Sequence, residues 1–228
     1  MKDKQYFEYG EMEIAWLKEK DPDLGKAMDE IGYLTRELIP DLFMALINSI
    51  IGQQISTKAQ ETIWMRFLDM FNPITPEHIA AVAAETIQTC GISLKKVEYI
   101  KGIAQSVIGG SLNLDEIQAM SDEDVCKRLS QIKGIGIWTA EMLMIFSMQR
   151  KDVVSFGDMA ILRGMRMLYR HRKITPALFA KYKRRYSPYG TVASLYLWSI
   201  SHGGCEGLVD LAPKAGTQKK AKIKACGK

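Results

Sequence analysis

Residues Leu129–Asp158 read LSQIKGIGIWTAEMLMIFSMQRKDVVSFGD, and the rest of the chain is organised around them. The stretch has three parts. A short helix stops at Gly134-Ile135-Gly136, a new helix opens with Trp138, Thr139 and Ala140, and a linker from Lys151 to Gly157 delivers Asp158 to the start of a further helix. Glycine tolerates positive φ, so the first helix can end abruptly. Without a Cβ in the way, another chain can approach the hairpin backbone. The amides that open the second helix have no intrahelical partner and point outward, which makes the turn attractive to anions, phosphate above all. Alone, a Gly-x-Gly between helices is a weak signal, because many helix ends carry one.

Outward from this segment the chain keeps helical periodicity. Pro40 opens an apolar helix from Asp41 to Gln54, Ser56 or Thr57 caps the next, and Thr75-Pro76-Glu77 starts one to about Thr86. Residues 93–108 are amphipathic, and Ser121 with Asp124 approximates a capping box leading into the hairpin. After Asp158 a helix runs to about Arg170, Thr175-Pro176 opens another, and Ser187-Pro188 opens the last, which carries Tyr189, Tyr196 and Trp198. No stretch sustains strand alternation, so the pattern predicts an all-α protein of many short helices.

At 228 residues the chain can bury one sizeable core or two small ones, and its composition, 47% hydrophobic and 25% charged, is that of a globular protein in water. No apolar run has the length of a membrane span, and the first residues lack the layout of a signal peptide. The six lysines of residues 213–228 exceed the whole net charge of +5, leaving −1 for residues 1–212. That tail is too polar to fold, and any attraction of the folded body for DNA has to be local. Cys90, Cys126, Cys205 and Cys226 have no metal-ligand spacing and read as reduced thiols of an intracellular, cytoplasmic protein. His78, His171 and His202 are isolated and read as helix-end or surface residues.

The hairpin, the Trp-Thr-Ala that follows it, Asp158 twenty residues after Trp138, and IIGQQIS at Ile50–Ser56 occur together. In combination they resemble the helix-hairpin-helix DNA glycosylase superfamily. Trp138 and IIGQQIS are most similar to its 3-methyladenine DNA glycosylase II (alkylation repair) family, over about Asp41 to Gly203. The resemblance implies two helical lobes with an active-site cleft between them. Residues 1–52 and 162–212 would form the terminal lobe, 53–161 the central lobe with the hairpin, and 213–228 a basic tail. It also implies a compact form without the family's N-terminal β-rich domain.

The resemblance places Asp158 at the superfamily's catalytic aspartate. Hydrolysis of an N-glycosidic bond passes through a sugar with oxocarbenium character, and a carboxylate near C1′ can stabilise that charge and orient water. Aspartate is also a good helix N-cap. Both roles draw on the same carboxylate oxygens, so position alone leaves them open. Bifunctional members place a Schiff-base lysine where this chain has Trp138, and Lys133 does not match that position. The resemblance therefore implies a monofunctional enzyme that leaves an abasic site.

Trp138, Trp198 and Tyr189 match aromatic positions of the base pocket, where electron-poor alkylated purines would stack. Gln54 matches the wedge that fills the gap left by a flipped base, beside Gln53. Ile92, in Gly91-Ile92-Ser93-Leu94, resembles a second insertion element. Gly134, Gly136 and Thr139 would contact the DNA backbone. The carbonyls of Ser130, Ile132 and Gly134 match a set that holds a monovalent cation, sodium or potassium. No cofactor is otherwise required, and too few cysteines lie near the C-terminus for the iron–sulfur cluster of some relatives. Before Asp158 the chain has Ser155-Phe156-Gly157, where relatives often carry a proline. The implied partner is double-stranded DNA with damaged bases, bound by a monomer that has no membrane association. Removal of deaminated or mismatched bases, and non-catalytic DNA binding through a retained hairpin, are the alternatives.

Overall fold

The structure, a computed structural model, describes residues 4–213. All but the first residue of the lysine-rich tail lies outside that range. Thirteen helices are present among the described residues: α1 Glu11–Lys20, α2 Pro22–Ile31, α3 Leu42–Gly52, α4 Thr57–Met70, α5 Pro76–Ala81, α6 Ala84–Gln88, α7 Leu94–Ile108, α8 Leu114–Ala119, α9 Asp122–Ser130, α10 Ile137–Phe146, α11 Met159–Leu168, α12 Pro176–Tyr186 and α13 Gly190–Ser201. The only β pairing among them is an isolated bridge between Tyr6 and Glu37.

The starts follow the caps the sequence carries. The side chains of Asp21, Asp41, Ser56, Thr75, Ser121 and Thr175 each accept a hydrogen bond from an amide of the first turn they precede. Such a cap contributes about 1 kcal/mol. The helix expected from Thr75 to Thr86 is two helices, because Val82 and Ala83 take extended backbone. Lys101 on α7 reaches this break and donates to the Ala80 and Val82 carbonyls, so the α5 end is satisfied without continuing the helix.

Two hydrophobic cores result. One is built from residues between Leu42 and Val153, the other from Phe7–Leu38 together with Val154–Cys205. The two-lobe expectation therefore survives with different boundaries. Helix α3 belongs to the central lobe, not the terminal one. Seven of its eleven residues are buried, and it packs against α4, α7 and α10. A helix apolar on nearly every face has to be enclosed by its neighbours. The return crossing comes at Val153 and Val154 and not at Ile161. Between helices there, these two adjacent residues enter different cores, Val153 the central one and Val154 the terminal one.

The seam between the lobes is stitched by backbone bonds. Ile39 N–H donates to Phe146 O at 3.0 Å, and Thr191 N–H to Lys151 O at 3.0 Å. The Thr191 and Ser194 hydroxyls bond Val153 N–H and O. Helices α11 and α13 pack closely at Gly164, where a Cβ would stand 2.2 Å from the Leu197 carbonyl oxygen. That approach sets Trp198, the next residue, beside the helix that Asp158 begins.

Candidate active site

Asp158 is the N-cap of α11 and is 6% exposed. Its two carboxylate oxygens have separate duties. Oδ1 accepts from the amides of Ala160 at 2.8 Å and Ile161 at 2.9 Å, the cap expected of an aspartate at this position. Oδ2 accepts from the indole Nε1–H of Trp138 at 2.8 Å. The cap thus occupies one oxygen and leaves the other to Trp138, which lines the same cleft as Asp158 with 47% of its surface exposed.

The cleft has a volume of about 960 Å³ and is lined by Trp138, Thr139, Asp158, Trp198, Gly134 and Gly136, among others. Phe146 and Trp198 stack at 5.5 Å and 28°. Both rings pack against both cores, so they lie where the lobes meet. Phe146 was not singled out from sequence, because at the end of an apolar helix it looks like any core residue. His202 also lines the cleft, as the exposed helix-end residue the sequence predicts. It ends α13, and its Nδ1 lies 2.7 Å from the Trp198 carbonyl oxygen.

The hairpin glycines are not equivalent. Gly134 has φ +89, and a Cβ there would stand 2.6 Å from the Tyr99 ring, so both conformation and space demand glycine. Gly136, the N-cap of α10, has φ −92 and open space where a Cβ would go. Gln53, at the end of α3, donates from Nε2 to Gly134 O at 2.6 Å, and Gln54 follows, exposed, with φ 58. The wedge candidate is therefore held against the hairpin. Within the cation set, Gly134 O accepts from Gln53 and Ile132 O from the Ile135 amide at 3.0 Å. Each keeps one lone pair for an ion, and Ser130 ends α9 beside them.

Two expected site residues lie elsewhere. Ile92 is 4% exposed and belongs to the central core; in that loop the outward apolar side chain is Leu94, 51% exposed. Tyr189 does not line the cleft. It caps the start of α13, packs edge-on against Trp16 at 5.5 Å, and lines a separate groove with Asp122 and Pro188. It sits more than two helical turns before Trp198, so one helix cannot bring both rings to the same place.

A second carboxylate stands behind the site. Glu141 on α10 accepts from the hydroxyl of Ser155, a fully buried residue in the linker to Asp158. Burial holds the Glu141 carboxyl above its usual range, the Ser155 bond and Lys183 pull it down, and negative Asp158 raises it further. Positive charge is also local. From Met159 to Cys205 the chain has nine lysines and arginines and no acid. Among the described residues only Arg163, Arg166 and Arg185 of these nine are in ion pairs.

The profile of the HhH-GPD superfamily of base excision DNA repair proteins matches residues 47–194, which takes in the second half of α3, the hairpin, Trp138 and Asp158. The chain belongs to this superfamily. Schizosaccharomyces pombe DNA-3-methyladenine glycosylase 1 is 38% identical over 161 residues, 68% of this chain and 71% of the relative. The HhH-GPD fold here superposes on the crystal structure of a Bacillus halodurans DNA-3-methyladenine glycosidase with a TM-score of 0.77. Identity to it is 33%, with 87% of this chain and 93% of that one covered. It also matches the Schizosaccharomyces pombe 3-methyladenine DNA glycosylase in complex with abasic DNA, with a TM-score of 0.73, 33% identity, and 84% and 97% of the two chains covered. In this HhH-GPD chain no lysine lines the cleft among the described residues. Lys133, the lysine nearest in sequence to the hairpin, lines a separate groove with Tyr99 and Arg128.

Proposed function

We propose that this protein is a monofunctional DNA glycosylase of base excision repair, which extrudes alkylated bases from duplex DNA and hydrolyses their N-glycosidic bond. The observation that carries this reading is the carboxylate of Asp158, anchored through Oδ1 and presented through Oδ2 to a cleft with two tryptophans and a Gly-x-Gly hairpin on its walls. A duplex gripped by one phosphate at the hairpin amides would bring the neighbouring nucleotide to the cleft. The flipped base would lie among Trp138, Trp198 and Phe146, where a cationic purine gains from electron-rich ring faces.

The C1′–N bond then breaks with its electron pair leaving on the base. Oδ2 stabilises the oxocarbenium, and a water oxygen bonds C1′ as its proton passes to the carboxylate and on to solvent. With no cleft amine to form a Schiff base, the product is an abasic site in an unbroken strand. A monovalent cation at the carbonyls of Ser130, Ile132 and Gly134 would add positive charge to the phosphate grip. No helix among the described residues is long and apolar enough to cross a membrane, and the substrate places the enzyme on DNA inside the cell, acting as a monomer. The names of its relatives, DNA-3-methyladenine glycosylases, support an alkylated substrate over a deaminated one. Chromatography of the bases freed from methylated, deaminated and etheno-adducted DNA tests the assignment. Release of 3-methyladenine is expected, and release confined to deaminated DNA would contradict it.

A further inference from the structure

Helix α7 sends three side chains toward the DNA-facing elements from its first two turns. Leu94 stands exposed at its start. Lys96 turns inward, and its ammonium donates to Ile51 O at 2.8 Å, in the last turn of α3, and to Gln53 O at 2.7 Å, at the residue that caps it. Tyr99, one turn on, lies against Gly134, leaving no room for a Cβ. Gln53 closes the circuit through its own side chain, donating to Gly134 O at 2.6 Å. A chain of hydrogen bonds thus runs from Lys96 through Gln53 to the hairpin, and Gln54 is the residue that emerges from it, in left-handed backbone that a non-glycine residue holds only when its surroundings fix it.

A lysine at a helix C-terminus is ordinary when its only task is to satisfy carbonyls, as Lys101 does at the end of α5. Lys96 differs in what its carbonyls belong to. The loop it fixes carries the wedge candidate, and the loop's next bond is to the phosphate-binding turn.

We propose that Lys96 is a positioning residue that ties the Gln53-Gln54 loop to the hairpin, so that gripping a phosphate and driving Gln54 into the gap of an extruded base are one rigid action. This rests on the glycosylase assignment above. Without the tie the hairpin still binds phosphate, but the wedge recoils instead of holding the base out. The defect should therefore scale with how hard the base is to extrude, which a general loss of packing would not do.

The test uses Lys96→Met, Gln53→Ala and the double variant of the full chain, with 7-methylguanine placed opposite either its normal partner or a tetrahydrofuran spacer. Lys96→Met should slow single-turnover excision of the paired base by about tenfold, the scale of one hydrogen bond to a charged group. It should slow the unpaired one by less than about threefold, because extrusion there is cheap. Gln53→Ala should show the same contrast, and the double variant should be no slower than the worse single one, as expected of links in one chain. If Lys96→Met does not melt cooperatively, Gln53→Ala carries the comparison. Equal slowing on both substrates, or none on either, would overturn the proposal. 2-Aminopurine fluorescence in the bound duplex reads extrusion without chemistry. Wild-type protein that extrudes the base without releasing it would sink the glycosylase assignment and leave the tie testable, whereas an undiminished fluorescence rise in Lys96→Met would sink the tie alone.

Discussion

The indole Nε1–H of Trp138 donates to Oδ2 of Asp158 at 2.8 Å, joining the first turn of α10 to the N-cap of α11. Oδ1 of the same carboxylate is held by the Ala160 and Ile161 amides. One side chain thus caps a helix with one atom and takes the indole with the other. In the free protein Trp138 is the donor that fixes the oxygen proposed to act on the sugar.

Replacing Trp138 by Phe keeps an aromatic face and removes the N–H. Loss of a hydrogen bond to a charged group costs about 1.5–3 kcal/mol. Single-turnover excision should fall by about tenfold, and melting should drop by the low end of that range because the half-exposed ring lets water replace part of the bond. Trp138→Ala, which also removes the stacking face, should be slower still. Equal rates for wild type and Trp138→Phe would show that the indole N–H does not matter to the carboxylate.

The hairpin glycines should separate folding from binding. Gly134→Ala places a Cβ into the Tyr99 ring at positive φ and should destabilise the protein by at least about 1 kcal/mol. Gly136→Val enters open space at an ordinary φ, so the free protein should melt close to wild type while affinity for duplex DNA falls alike across sequences. Wild-type affinity in Gly136→Val would remove the hairpin from the DNA interface.

How much of this was legible in the sequence follows from range. The hairpin, the cap at Asp158 and most helix starts are local features and appear where the residues put them, although the last helix opens at Gly190 and not at Ser187-Pro188. Ile92 and Tyr189 were misplaced because burial and the direction a helix faces are settled by distant packing. The apolar face of α3 says that it is buried but not in which lobe. Phe146 against Trp198, Ser155 against Glu141 and Lys96 against Gln53 each join residues from different elements, and no spacing rule points at them.

The chain after α13 returns to α11 through Asp210, which accepts from Arg166 Nε at 2.8 Å and Nη2 at 2.7 Å, with Arg163 at 3.7 Å. These arginines hold the Asp210 carboxyl down to about 2, with the Arg166 bonds the largest cause. A depressed folded-state value contributes stability that is present above the unfolded value near 4 and is lost as pH falls toward 2. Asp210→Asn should therefore cost about 1 kcal/mol at pH 7, after allowance for partial exposure. The gap to wild type should close between about pH 4 and pH 2. Melting curves across that range check it, and a pH-independent gap would point to lost packing instead.

The most direct measurement is single-turnover excision of an alkylated base by Asp158→Asn, with thermal melting and abasic-DNA affinity on the same preparation. The amide can keep the Oδ1 cap, since asparagine caps about as well as aspartate, so the melting loss should be that of the Trp138 bond, about 1.5–3 kcal/mol, and folding should survive. It cannot accept from Trp138 with its NH₂, nor stabilise an oxocarbenium as an anion. Excision should fall by roughly 100-fold or more, the scale of losing a key electrostatic stabiliser. DNA affinity should hold or rise, because a negative charge near phosphates is gone. An Asp158→Asn protein that excises at the wild-type rate would contradict the account at its centre.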